Sequence, residues 1–174
     1  AEEEWRRLRP VLEAVRKEFP DLRISVDTYW SDVVERTFDA IGYFIVNDIS
    51  AGEDDPRMLS LVGSLGLTYV AMHKRGTPQT MQSMTDYEDV TSDVADYFSD
   101  FSDRAGQSGV GDWILDPGFG FAKTLEQNYQ LMRDLSSFKA AFPSRRLLVG
   151  VSRKSMVYRL LGITPEESLP ATQV

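Results

Sequence analysis

The sequence holds no cysteine and only one histidine, His73. Without thiols there are no disulfides and no cysteine nucleophile, and the redox compartment stays open. With a single imidazole besides, a zinc site built from sulfur and nitrogen ligands has too few donors. Long apolar runs are missing as well: none reaches the roughly 18 residues of a spanning helix. The opening stretch Glu2–Glu18 is acidic and reads as neither a signal nor a transit peptide. Positive charge is scarce, 19 Lys and Arg against 27 Asp and Glu for a net −8. That balance argues against nucleic acid or an anionic membrane as partner. An anionic substrate would need a local cationic pocket or a helix terminus. No linker, repeat or low-complexity tract interrupts the chain, and a soluble cytoplasmic protein is the expectation.

What is present is enough apolar residue to build a core: 42% hydrophobic and 11% aromatic over 174 residues. That suits one globular domain spanning 1–174. Glu2–Glu18 has Trp5, Leu8, Val11, Leu12 and Val15 at helical spacing. Arg23–Asp27 reads as a strand, with a helix near Ser31–Ala40 after it. Tyr43–Ile49 is a second strand, and Asp54-Asp55-Pro56 should start a helix with proline in its first turn. Leu67–Met72 is a third strand, followed by the loop Lys74–Pro78. Asp86–Arg104 lines up Val90, Val94, Tyr97, Phe98 and Phe101 on one helical face. Its acids (Asp86, Glu88, Asp89, Asp93, Asp96, Asp100, Asp103) read as the solvated side of that helix, not as a metal tract. Asp112–Asp116 is a fourth strand with a helix over Leu125–Phe142. Leu147–Val151 is a fifth, and a last helix begins near Arg153. Strand–helix alternation predicts an α/β fold with a parallel sheet, as either a (β/α)₈ barrel or an open doubly wound sheet.

Several of these strands end in a polar side chain just before a turn. The most informative case is Leu115-Asp116-Pro117-Gly118-Phe119-Gly120-Phe121-Ala122-Lys123-Thr124, where a carboxylate meets a turn that continues neither strand nor helix. Asp27, Asn47, Asp116 and Ser152 stand at such ends, with Lys154 two residues beyond the last. In a barrel these groups would meet at the C-terminal mouth. Two carboxylates, an amide and an ammonium suit a flat heterocycle: the acids accept from ring N–H and amino groups, and the lysine donates to a carbonyl or ring nitrogen. Each residue also has a plainer reading. Asp27, Asn47 and Ser152 could be caps or turn residues, Arg153 and Lys154 surface charges, and Met72 and Phe121 core. His73 could be an acid–base group, though a histidine at a strand end is more often structural. It is the joint pattern that points to a site.

Five stretches in order resemble the motifs of dihydropteroate synthase: Ile24-Ser25-Val26-Asp27-Thr28-Tyr29, Val46-Asn47-Asp48-Ile49-Ser50, Met72–Gln82, Asp116–Thr124 and Gly150-Val151-Ser152-Arg153-Lys154-Ser155. The resemblance covers nearly the whole chain. It implies a (β/α)₈ TIM barrel that condenses 6-hydroxymethyl-7,8-dihydropterin diphosphate with p-aminobenzoate to 7,8-dihydropteroate and pyrophosphate. That step belongs to folate biosynthesis and is the target of sulfonamides. By the same resemblance Asp27, Asn47, Asp116 and Lys154 would hold the pterin, Met72 and Phe121 would line its pocket, and Ser152 would lie toward p-aminobenzoate. Asp27, Asp116 and Lys154 would be the catalytic set, with Mg²⁺ accompanying the diphosphate. Against the family's pattern about five βα units are expected here. The first two strands and the last are absent, and with them the segment that would hold the metal. A homodimer is compatible with the resemblance. Two other readings are a methyltetrahydrofolate-dependent methyltransferase on a similar barrel, and a pterin binder without activity.

Overall fold

The computed structural model describes residues 1–77 and 79–173. The strands β1 (Ser25–Asp27), β2 (Ile45–Asp48), β3 (Thr68–Met72), β4 (Trp113–Asp116) and β5 (Arg146–Leu147) form one sheet in the order β1-β2-β3-β4-β5. This order is that of the chain itself. A doubly wound sheet reverses direction at a switch point, so sequential order favours the barrel topology. By backbone contacts the chain divides into two compact units, Ala1–Met72 with Asp100–Ile114, and His73–Ser99 with Leu115–Val174.

The first unit begins with α1 (Glu2–Glu18), which packs on α2 (Ser31–Ile41), while α3 (Met58–Leu65) precedes β3. β1 and β2 pair in parallel with Asp27 opposite Asn47, and β2 pairs with β3 with Asn47 opposite Val70. Val26, Val46 and Tyr69 occupy registered positions on the other face and are all buried. There Tyr69 stacks on Phe101 at 6.0 Å, and Phe101 meets Trp113 edge-on at 4.9 Å. The approach of α3 to the turn at Ser108 requires glycine: a Cβ on Gly63 would stand 2.0 Å from the Ser108 carbonyl.

One side chain gathers the strand-entry end of this unit. Arg16 donates from Nε to the Ile41 carbonyl, from Nη1 to those of Pro20 and Leu22, and from Nη2 to that of Tyr43. Four carbonyls at the termini of two connections thus share one guanidinium, a match to its fork of donors.

The second unit holds the start of α4 (Val90–Gln107), then α5 (Leu125–Arg133), α6 (Leu135–Ala141), α7 (Ser155–Leu161) and α8 (Leu169–Thr172), with a 3₁₀ turn at Met81–Ser83. Its core is aromatic, with Phe98 against Phe138 at 6.0 Å and Phe138 against Phe142 at 5.7 Å. α5 starts on a reciprocal cap: the Gln127 amide donates to Thr124 Oγ1 and the Thr124 amide to Gln127 Oε1.

Several boundaries differ from the sequence reading, each for a local reason. α3 starts at Met58, not at Asp54-Asp55-Pro56, because Asp55 is held in a turn. Its carboxylate accepts from the Arg57 and Ser31 amides and its carbonyl from the Met58 amide. α4 starts at Val90, not Asp86, because Asp89 caps it by accepting from Ser92 N–H at 2.8 Å. Asp86, Glu88 and Asp89 therefore precede the helix, while Asp96, Asp100 and Asp103 do lie on its exposed side. The single helix expected over Leu125–Phe142 is two, divided at Asp134, whose carboxylate is engaged by Arg133 and Thr91. β5 has two residues where five were expected, and α8 was not anticipated. Among the described residues no helix is long and apolar enough to cross a membrane.

Arg16→Ala should destabilise the protein by about 1–3 kcal/mol, since it strands carbonyls that share one charged donor. Arg16→Lys should recover only part of that. Urea unfolding of the three proteins side by side checks both expectations.

Candidate functional site

In the first unit, parallel register decides which side chains share a face. Asp27 is opposite Asn47, Asn47 opposite Val70, and Met72 lies two residues beyond Val70. Period-two alternation then puts Asp27, Asn47 and Met72 on one face at the C-terminal ends of their strands. Asp27 is exposed by area. Even so, desolvation by neighbouring atoms is the largest cause raising its pKa, ahead of the negative charges of Asp48 and Glu4. Asp48, next to Asn47 but on the opposite face, is fully buried and committed to the backbone. Its Oδ1 accepts from the amide and hydroxyl of Ser50, and its Oδ2 from the Gly52 amide and the Tyr69 hydroxyl.

In the second unit the turn after β4 is built around Asp116, which is 8% exposed. Asp116 Oδ1 accepts from the Gly118 amide at 2.9 Å, and its carbonyl accepts from the His73 amide at 2.9 Å. Gly118 has φ +70°, and a Cβ there would stand 2.0 Å from the His73 carbonyl, so only glycine fits. Lys154 caps α7 and reaches back to this turn: its Nζ donates to the Phe119 carbonyl and sits 4.8 Å from the centroid of the Phe121 ring. Burial is the largest cause in both charged groups, raising the Asp116 pKa and lowering that of Lys154. Their attraction opposes both shifts. Asp116, Phe121 and Lys154 are thus brought together. Ser152 lies exposed in the turn before α7, beside Arg153 at φ +55°.

The sequence reading gave no role to Lys123, which is 5% exposed. Its ammonium meets three acceptors: His73 Nδ1 at 3.0 Å, the Gly118 carbonyl at 3.1 Å and the Phe121 carbonyl at 3.2 Å. Burial pushes its pKa down to about 7, with Lys154 and Arg75 adding to that and Asp116 opposing it. A signal was available, since a lysine inside an otherwise apolar Gly/Phe turn needs internal acceptors. His73 is buried, edge-on to Tyr97 at 4.9 Å. Burial foremost, then the charges of Lys123 and Arg75, hold its pKa down to about 2. Where the Lys123 ammonium donates to Nδ1, a neutral His73 carries its proton on Nε2.

Pro78 of the Met72–Gln82 stretch lies outside the described residues. Arg75 in that stretch lies 3.8 Å from the Tyr87 ring centroid and pairs with Asp93 at 3.2 Å. Among the described residues no three His, Asp or Glu side chains converge as a metal site.

A parallel sheet whose strands follow chain order, with helices between them, places the chain in the α/β barrel class. The chain matches the model of the family described as "Pterin binding enzyme" over residues 1–174, and it belongs to that family. It is 43% identical over 162 residues to the dihydropteroate synthase of Synechocystis sp., covering 91% of this chain and 54% of that protein. Among solved structures, the dihydropteroate synthase of Thermus thermophilus superposes with a TM-score of 0.89 at 37% identity. That match covers 98% of this chain and 66% of that one. The Thermus protein has also been solved with 6HMPPP and with 4-aminobenzoate. The Yersinia pestis dihydropteroate synthase in complex with a sulfonamide drug gives 0.91 at 36% identity, over 99% and 62%. The chain spans a little over half the length of the curated relative and under two thirds of the Yersinia chain.

His73 makes a prediction about stability. Its folded pKa lies below the ordinary value near 6.5, so the unfolded chain binds the extra proton. Its contribution is complete above that value and is lost as pH falls. Between pH 6.5 and about 5 it should remove roughly 1.4 kcal/mol per unit. Denaturant titrations across this window should show that slope in the wild type and a flatter one in His73→Leu.

Proposed function

We propose that this chain is part of a dihydropteroate synthase, a transferase joining 6-hydroxymethyl-7,8-dihydropterin diphosphate to p-aminobenzoate. The continuous family match further supports reading residues 1–174 as part of one pterin-binding domain. The observation that carries the reading is the Asp116–Phe121–Lys154 cluster, which sets a buried carboxylate, an aromatic face and an ammonium side by side. A dihydropterin presents a matching edge. Its amino and ring N–H groups donate to Asp116, its carbonyl or ring nitrogen accepts from Lys154, and its flat ring packs on Phe121. Asp27, Asn47 and Met72 are assigned to the pterin by their match to the family's motifs, and Ser152 to the p-aminobenzoate side.

In the reaction the bond from the exocyclic methylene carbon to the diphosphate oxygen breaks, with its electron pair leaving on diphosphate. The methylene cation is conjugated to the pterin ring. Carboxylates held in a desolvated setting stabilise such developing charge, a role assigned to Asp116 and Asp27. The p-aminobenzoate nitrogen then forms the new bond to carbon and gives up one proton to solvent. No covalent intermediate with the protein is needed, in keeping with a chain that has no cysteine.

The decisive experiment mixes the full-length protein with pterin diphosphate and p-aminobenzoate and measures diphosphate release. Stoichiometric release with dihydropteroate is expected, and its absence overturns the proposal. Asp116→Ala should weaken pterin binding by about 1–3 kcal/mol or more in calorimetry, because it removes a buried acceptor. Since burial raises the Asp116 pKa, pterin affinity should fall on acidification above the usual carboxylate range near 4. Asp116→Asn should lose that dependence. Lys154→Ala should slow turnover with its far-ultraviolet dichroism unchanged, and a normal rate would remove Lys154 from the catalytic set.

A further inference from the structure

We propose that Lys123 is a positioning residue for the pterin site: its buried ammonium closes the turn Asp116–Thr124 onto His73 and so holds the groups that meet Lys154. The inference rests on the pterin-binding reading above, and it concerns a residue that would itself touch no substrate.

The geometry matches donors to acceptors. Protonated, Lys123 has three N–H donors, and its Nζ has three acceptors, His73 Nδ1 and the Gly118 and Phe121 carbonyls, at 3.0–3.2 Å. The carbonyl that receives Lys154, that of Phe119, lies between the two that receive Lys123. Lys123 therefore ties down the backbone on both sides of the point where Lys154 docks. The turn has no slack beneath it, because at Gly118 even a methyl group would collide with the His73 carbonyl. A second anchor completes the ring. Asn128 on α5 accepts from the Gly120 amide at 2.7 Å and donates to the Lys123 and Thr124 carbonyls. Gly118 N–H in turn orients the Asp116 carboxylate. Burying a lysine is costly unless its donors are satisfied, and here three acceptors and the neighbouring Asp116 charge offset that cost. Removing the ammonium leaves two carbonyls and an imidazole nitrogen without donors in a site closed to water, and the turn must open to hydrate them.

The test uses calorimetric titration of the full-length protein with a pterin diphosphate analogue. Lys123→Met preserves length and loses all three donors. It should bind about tenfold more weakly or worse at a stoichiometry still near one. Lys123→Gln, which keeps two donors, should fall between it and the wild type. Reduced stoichiometry at unchanged affinity is what partial unfolding gives, and it would overturn the positioning role. So would Lys123→Met affinity within about twofold of wild type. If the wild type itself binds no pterin, the functional reading fails and this inference with it, an outcome distinct from a mutant that binds normally. Should Lys123→Met not fold, His73→Leu carries the test by deleting one acceptor and sparing the backbone bonds. Weakening of about threefold or more supports the proposal, and unchanged affinity ends it.

Discussion

A buried ammonium with three acceptors holds together the most informative turn in this molecule. Lys123 joins the imidazole at the end of β3 to two carbonyls of the turn after β4. Asp116, Phe121 and Lys154 all meet at that turn. Asp116 begins it, Phe119 supplies the carbonyl for Lys154, and Phe121 supplies the ring beneath the Lys154 ammonium. The arrangement makes sense energetically only as a whole. A lone lysine or a lone neutral histidine at that depth would each be unfavourable, whereas together each supplies what the other lacks.

The same division of labour recurs at the end of β2. Asn47 and Asp48 are adjacent polar residues, and alternation sends them to opposite faces. Asp48 turns inward and takes four donors from its own loop and from Tyr69. Asn47 stays in register with Asp27. At the end of β2, then, one polar residue secures its loop and its neighbour stands on the other face of the sheet. A rigid turn is what a recognition site needs, because interactions placed in advance cost no reorganisation when the substrate arrives.

Much of this was legible in the chain. Strand–helix alternation and apolar spacing located five strands and most helices, and the strand-end residues Asp27, Asn47 and Asp116 stood out because a polar side chain closing an apolar strand recurs along the chain. Helix starts were less legible. Asp55 and Asp89 are acidic residues of the kind that open helices, but the number of residues each holds back depends on which amides its carboxylate captures. The division at Asp134 was hidden too, since Thr91, 43 residues away in sequence, engages its carboxylate.

The sequence by itself determined the fold class and the order of the strands, because periodicity and turn chemistry are local and survive in one dimension. Tertiary structure alone decided which of two adjacent polar residues is turned into the loop, that His73 is buried, and that Lys123 meets His73 and two carbonyls. Those outcomes depend on desolvation and on partners brought close from distant parts of the chain. Lys123 and His73 are 50 residues apart in sequence and 3.0 Å apart in space, and no local pattern encodes that distance.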